Sequence, residues 1–499
     1  MSRKTLNFSH ILIFLLLTIN FFSVHAGSTG EMPESSHSSE SLKLLKQQLS
    51  GILSNSILKR GNVGVGIYDL TSGSPLYEFN ADTSLIPASN MKIFTTAAAL
   101  GILGPEYTFS TDIYIAGNLS GSSLDGDIII VGQGDPWIVK ENLWLLAQDF
   151  ADTGITSVTG CIVLDTSFFD DNPVPDPDWH RIKMPLRYNA PTSALSFNFN
   201  AIAVWVSPGK QPGAPAVVKI DPPSDYFVFN NQAVTGKARS RNTLVLAISK
   251  TNGKCTLLLK GSIPSDYKKT AYYRHVTEPE YYLGETFKHY LKQCGVNVSG
   301  GVQKGALPKH AEKIVSHDSK SLSALLTDAN KYSNNLMIEQ TLKTIGAVEF
   351  KSSGSTILGA KAVKNFFIEH GIDLTGFQMS DGSGLSRNNK ATARQLASIF
   401  RLVLTQSTFG PEFMTALPVA GVDGTLKKRL KHDSRNRLVR GKTGLVQGVS
   451  CLSGVIDSRN GKGIVFSILF NDIGTHYTQA KQLQDKIVKA LLDYWLPEY

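Results

Sequence analysis

Hydrophobic and polar positions follow two different periods along this chain, and the period changes several times. The 27–40 stretch, rich in Ser, Gly and Glu, has no period and reads as a flexible leader. A helix is predicted from Ser41, with Leu42, Leu44, Leu45 and Leu49 as its apolar stripe. Residues 63–69 then alternate as a strand, Thr71, Ser72 and Gly73 turn the chain, and residues 76–79 return. From Pro87 the pattern becomes helical and almost wholly apolar as far as Leu100.

Between about 110 and 275 the character is different. Short β-like runs at 127–131, 161–164, 201–206, 216–220, 243–248 and 255–259 are separated by Gly, Pro, Asn and Asp. Helical periodicity returns near 277 and prevails to about 415, broken by glycine-rich loops. Three strands follow at 438–443, 446–456 and 463–471, with 457–461 as a hairpin turn between the last two, and an amphipathic helix over 477–494 closes the chain. A helix and hairpin at one end and a sheet and helix at the other predict an α+β fold whose ends pack together. The expected division is a discontinuous unit of residues 27–112 and 276–499 around an inserted β-rich region, 113–275, of two subdomains.

A length of 499 residues suits two or three domains, and 42% hydrophobic with 18% charged residues is ordinary globular composition. The formal charge of +9 falls to +7 without Arg3 and Lys4. Such a charge suits work on an anionic polymer and equally suits solubility. No basic run interleaved with aromatics marks a nucleic-acid binder. Arg3 and Lys4, the apolar run 11–19 and Val24-His25-Ala26 form a signal peptide over 1–26, with Gly27 as the mature start. The run is short for a membrane span, so export without stable membrane insertion is expected. Cys161, Cys255, Cys294 and Cys451 have no metal-ligand spacing and are assigned no role.

The candidate chemistry begins at Ser89 and Lys92. Residues i and i+3 of a helix share a face, so the lysine amine can reach the serine hydroxyl, and the first-turn N–H groups favour negative charge there. Ser-x-x-Lys recurs at Ser56/Lys59 and Ser265/Lys268, without the apolar helix that follows Lys92. A second element is Ser333-Asn334-Asn335, a Ser-x-Asn, overlapped by Tyr332-Ser-Asn334 in the alternative Tyr-x-Asn form. A third is Lys442-Thr443-Gly444 on a strand. A phosphate loop would need a glycine at 436, where Asn436 stands. The order 89, 333, 442 is that of penicillin-recognising serine acyltransferases.

With these motifs, and with Gly132-Gln-Gly-Asp-Pro136, Asp165-Thr-Ser-Phe168, Asp381-Gly-Ser-Gly-Leu-Ser-Arg387 and residues 417–426, the chain resembles a known family. It is the low-molecular-mass penicillin-binding proteins that act as D-alanyl-D-alanine carboxypeptidases/endopeptidases, with a large insertion after the serine helix. The resemblance implies a penicillin-binding-protein/serine β-lactamase-like transpeptidase domain, an antiparallel sheet with flanking helices and a helical lobe. It implies an acyl-enzyme at Ser89 with Lys92 as base, its pKa lowered by burial and by the nearby Lys442. Ser333 would relay a proton, Asn335 would orient Lys92, and Lys442 and Thr443 would bind the terminal carboxylate. Gly444 and Leu445 would line the substrate, and the N–H groups of Ser89 and Leu445 would form the oxyanion hole. No metal or cofactor is implied. The expected partners are peptidoglycan stem peptides ending in D-Ala-D-Ala and β-lactam antibiotics, in the periplasm. The family often has an aspartate in the insertion where Lys183 stands here, flanked by Arg181 and Arg187. Either the pocket is basic, or Asp178 takes that part. A β-lactamase or esterase on the same domain, and a non-enzymatic wall-binding protein, are the alternatives.

Overall fold

The computed structural model describes residues 39–59, 61–176, 179, 187–251, 254–456 and 462–496. The expected signal peptide and the 457–461 turn lie outside them. At the centre is a five-stranded antiparallel sheet in the order Val439–Val446, Val449–Ile456, Ile464–Asn471, Asn62–Asp69, Pro75–Phe79. The two ends of the chain meet within it, Asn62 opposite Asn471 and Asp69 opposite Ile464.

Strand alternation decides which side chain goes where. On Ile464–Asn471, residues Ile464, Phe466, Ile468 and Phe470 face one core, shared with Leu45 and Leu49 of the Ser39–Leu53 helix and Ile487 and Leu491 of Tyr477–Trp495. Val465 and Leu469 face the other, with Phe94 and Ala98 of the Met91–Ile102 helix and Phe400 of Ala393–Gln406. Both faces are covered, so the strand is buried along its whole length.

The inserted unit has its own core. Ser110–Ser120 and Ser123–Gly132 form a long antiparallel pair at the middle of a mixed sheet, and beyond it lie two three-stranded sheets. One is ordered Thr270–His275, Ala201–Ser207, Val217–Asp221; the other is ordered Val245–Thr251, Lys254–Pro264, Phe227–Gly236. This unit does not close at residue 275. The helix Pro279–Gln293 buries Tyr282, Leu283 and Phe287 in the same cluster, and Glu312–Asp318 pairs with Ser110–Ser120. Leu322 is the first later residue in the cluster behind the serine helix. The helix Lys140–Asp152 also stands inside the stretch read as β-like, burying Leu143, Leu146, Ala147 and Phe150 on one stripe. All four cysteines are free thiols. Among the described residues no helix is long and apolar enough to cross a membrane.

Candidate active site

Ser89 sits in a tight turn. Ala88–Asn90 form a 3-10 turn that runs straight into the Met91–Ile102 helix, whose residues Met91 to Leu100 are all buried. Ala88 is held at φ 47, in the left-handed region. Two glycines let other segments close over this turn. A Cβ on Gly384 would lie 1.8 Å from the Ala88 carbonyl oxygen, and one on Gly444 would lie 2.8 Å from that of Pro87. From below, Asn90 Nδ2 donates to Ser453 Oγ at 2.8 Å and ties the turn to the central sheet.

Lys92, one turn on, spends its three donors on Ser89 Oγ at 3.1 Å, Asn335 Oδ1 at 2.7 Å and the Ser383 carbonyl at 2.6 Å. It is fully buried, and burial lowers its pKa to about 8, against the opposing pull of Glu339 and Asp381. Ser333 lies between the helices Leu322–Lys331 and Asn335–Phe350, at φ 55, and accepts from Lys442 Nζ at 2.9 Å. Asn334 caps the second helix by accepting from Met337 N. Asn335 Nδ2 donates to the Tyr188 carbonyl at 2.8 Å, joining the catalytic body to the insertion.

Lys442 is as buried as Lys92, and its other bond is to the Thr443 carbonyl at 3.1 Å. Burial, and then the charge of Lys92, push its pKa well down. Burial is the leading cause at both amines, and the repulsion between them, being mutual, favours the neutral form of either.

A cleft of about 750 Å³ opens over these groups, lined by Ser89, Ser333, Asn335, Leu385, Arg387 and Leu445 among others. The structure therefore brings Ser89, Lys92 and Asn335 into direct contact, joins Lys442 to Ser333, and puts Leu445 on the wall. Thr443 donates its hydroxyl to Thr425 at 2.8 Å, and Gly444 lies against Pro87. Tyr332 projects into solvent, and Asn334 serves as a cap, so the overlapping Tyr-x-Asn does not face Lys92. Lys183, Asp178 and Arg181 lie outside the described residues.

Several residues had no place in the motif reading. Glu339 is wholly buried and accepts from Gly382 N at 3.0 Å and Ser383 N at 2.7 Å, which aims the Ser383 carbonyl at Lys92. Burial pushes its carboxyl up, while the two N–H groups favour the carboxylate. Its position, four after Asn335 and so on the same helix face, was the available signal. Asp381 organises the same loop, accepting from Trp179 Nε1, Gly384 N, Ser386 N and Asn389 Nδ2 at 2.6–2.9 Å. At the end of that loop, Arg387 Nη1 donates to the Gln447 carbonyl.

Sheet, helical lobe and cleft together are the fold of a penicillin-binding protein, with a Ser–Lys pair at the cleft floor. The chain belongs to the D-Ala-D-Ala carboxypeptidase 3 (S13) family, whose model matches residues 45–493. It is 34% identical over 467 residues to a D-alanyl-D-alanine carboxypeptidase of Actinomadura sp. (strain R39), covering 90% of this chain and 85% of the relative. The crystal structure of penicillin-binding protein 4 from Haemophilus influenzae superposes with a TM-score of 0.78 at 25% identity, over 90% of this chain and 99% of that one. A second crystal structure of that protein, complexed with a β-lactam, matches with a TM-score of 0.74 at 24% identity, over 91% and 100% of the two chains.

Proposed function

We propose that this cleft hydrolyses the D-Ala–D-Ala bond of peptidoglycan stem peptides through an acyl-enzyme on Ser89. The observation that carries the reading is the buried Lys92 amine, 3.1 Å from Ser89 Oγ. With its pKa lowered to about 8 by burial, Lys92 is neutral far more often at pH 7 than an ordinary lysine. Neutral Lys92 takes the Ser89 proton as the oxygen attacks the carbonyl, and the N–H groups of Ser89 and Leu445 hold the oxyanion. Ser333, bonded to Lys442, passes a proton to the leaving D-Ala amine, and water then releases the acyl group.

Lys442 and Thr443 receive the terminal carboxylate, with Gly444 and Leu445 along the strand. That carboxylate restores an ammonium at Lys442, and the restored charge in turn favours neutral Lys92. Glu339 is a positioning residue: it acts on Lys92 through the Ser383 carbonyl. β-Lactams acylate the same serine. The same cleft serves cross-link cleavage as an endopeptidase. A signal peptide over 1–26 directs the chain to the periplasm.

The deciding experiment is labelling with a fluorescent penicillin, native chain against Ser89→Ala. Label on the first and none on the second is expected; an unlabelled native chain sinks the proposal. Release of D-Ala from a soluble D-Ala-D-Ala peptide, and cleavage of cross-linked muropeptides, then separate the two activities.

A further inference from the structure

The strand Val439–Val446 is the outermost of the central sheet, with Val449–Ile456 as its one neighbour there. A loop over 417–426 covers the first part of its outer edge. Ala420 N donates to the Val439 carbonyl and Gly441 N to the Pro418 carbonyl, both at 3.0 Å. Further on, the strand runs along the cleft, where Leu445 and Val446 form part of the wall. Alternate residues of a strand project to one side, so Val439, Gly441, Thr443 and Leu445 share a side. Of these four, Thr443 alone carries a hydroxyl.

A second hydroxyl reaches it from the loop. Thr425 Oγ1 lies 2.8 Å from Thr443 Oγ1. The backbone on both sides of Thr425 is fixed. Asp423 pairs with Lys331, two residues before Ser333, and accepts from Val419 N at 2.8 Å. Gly424, at φ 52, passes so close to Lys331 that a Cβ there would lie 2.7 Å from its carbonyl oxygen. Leu426 is buried in the core on the far side of the sheet. Thr425 itself is exposed and Thr443 half-buried. A bond between two hydroxyls open to water adds little to stability, because water serves either one nearly as well. A well-anchored loop thus presents a hydroxyl whose bond the fold does not need.

We propose that Thr425 is a positioning residue for the substrate's terminal carboxylate, acting through Thr443. The inference rests on the reading above that Lys442 and Thr443 receive that carboxylate. A hydroxyl has one hydrogen to donate, and Thr443 gives its own to Thr425 in this structure. When a carboxylate enters, the Thr443 hydrogen turns to it, and the bond between the two threonines reverses: Thr425 donates and Thr443 Oγ1 accepts. The Thr443 oxygen keeps a partner throughout, so its side chain stays in place as water leaves. Accepting a hydrogen bond also polarises its O–H toward the anion. The gain is largest for a charged acceptor, which favours a free C-terminal acid over an amide. Thr425 touches no substrate atom and takes no part in proton transfer.

The test is steady-state hydrolysis of a soluble D-Ala-D-Ala peptide and of its C-terminal amide, with melting temperature as a check on folding. Thr425→Val keeps the shape and removes the hydroxyl. KM for the acid should rise about three- to tenfold, the worth of one hydrogen bond, with kcat changed by less than about twofold. The preference for acid over amide in kcat/KM should fall by about threefold or more. Thr425→Ser should restore both to within about twofold of native, and on a Thr443→Val background Thr425→Val should add nothing. A loss in kcat instead of KM, equal losses on acid and amide, no rescue by serine, or an undiminished effect without the Thr443 hydroxyl each overturns the inference. A native chain that does not distinguish acid from amide overturns the carboxylate reading and Thr425 with it. A native chain that does, beside a Thr425→Val chain that distinguishes them equally well, overturns the role of Thr425 alone.

Discussion

Two regions of this molecule use lysine in opposite ways. In the cleft, Lys92 and Lys442 are shut away from water and held by hydroxyl, amide and carbonyl oxygens, and burial drives both pKa values down. On the outlying sheets, Lys237 and Lys268 stand in solvent and form no ion pair among the described residues. A buried amine is expensive to keep charged, so it becomes a base and its effect is confined to atoms it touches. An exposed amine stays charged, acts through its field, and is one of several interchangeable contributors. The cleft should therefore respond to single atoms, and the sheet surface to net charge.

The sharpest break would come from Lys92→Met, which keeps the volume and removes the amine. Peptide hydrolysis should fall by about 10²–10⁴, the span of a general base. The melting temperature should hold or rise, because the desolvated amine is gone. A clear drop in melting temperature, measured by calorimetry, would show that the buried amine stabilises the fold and would undo the contrast.

Next comes the carboxylate. A substrate amidated at its C-terminus should lose about 2–5 kcal/mol in kcat/KM relative to the free acid, as expected for a desolvated charge pair. With Lys442→Met that preference should vanish; its survival would move carboxylate binding elsewhere in the cleft.

Protonation gives a smaller and more specific effect. Because the amine is active when neutral and its pKa is about 8, kcat/KM should climb about tenfold per pH unit below that value and level off above it. Glu339→Gln removes an anion that raises the Lys92 pKa, so the acid limb should move to lower pH. It should also reduce kcat by about 10–100-fold, since an amide cannot accept both N–H bonds that aim Ser383. A reduced kcat with an unmoved pH profile would make Glu339 structural only.

The smallest effect is expected on the other side of the contrast. Arg239→Glu or Lys268→Glu should change stability by less than about 0.5 kcal/mol, and soluble-peptide turnover not at all. A marked loss of turnover would mean that the two regions are coupled.

Much of this was legible beforehand where the determinants are local. The final strands and helix, observed at Val449–Ile456, Ile464–Asn471 and Tyr477–Trp495, follow from short apolar runs and helical periodicity. Ser89 and Lys92 are one helical turn apart, so their contact follows from spacing. Where determinants are distant in sequence the reading fell short. The inserted unit runs past residue 275 because Glu312–Asp318 pairs with Ser110–Ser120, and no local pattern marks a partner that far away. The Lys140–Asp152 helix was hidden among short β-like runs although its buried stripe has helical spacing.

The amino-acid sequence by itself determined which elements form, the order of the three motifs, the Ser89–Lys92 pair and the excess of basic residues. Only the tertiary structure decided that Glu339 holds Gly382 and Ser383, that Gly384 must be bare to pass Ala88, and that Lys442 meets Ser333. It also decided that Lys269 lies over Trp205 and that the Arg239 backbone meets Asp266. The physical reason is the same in each case. Propensity and periodicity act over one or two turns, whereas burial, pKa and shared surfaces arise from residues tens or hundreds of positions apart that packing brings within a few ångströms.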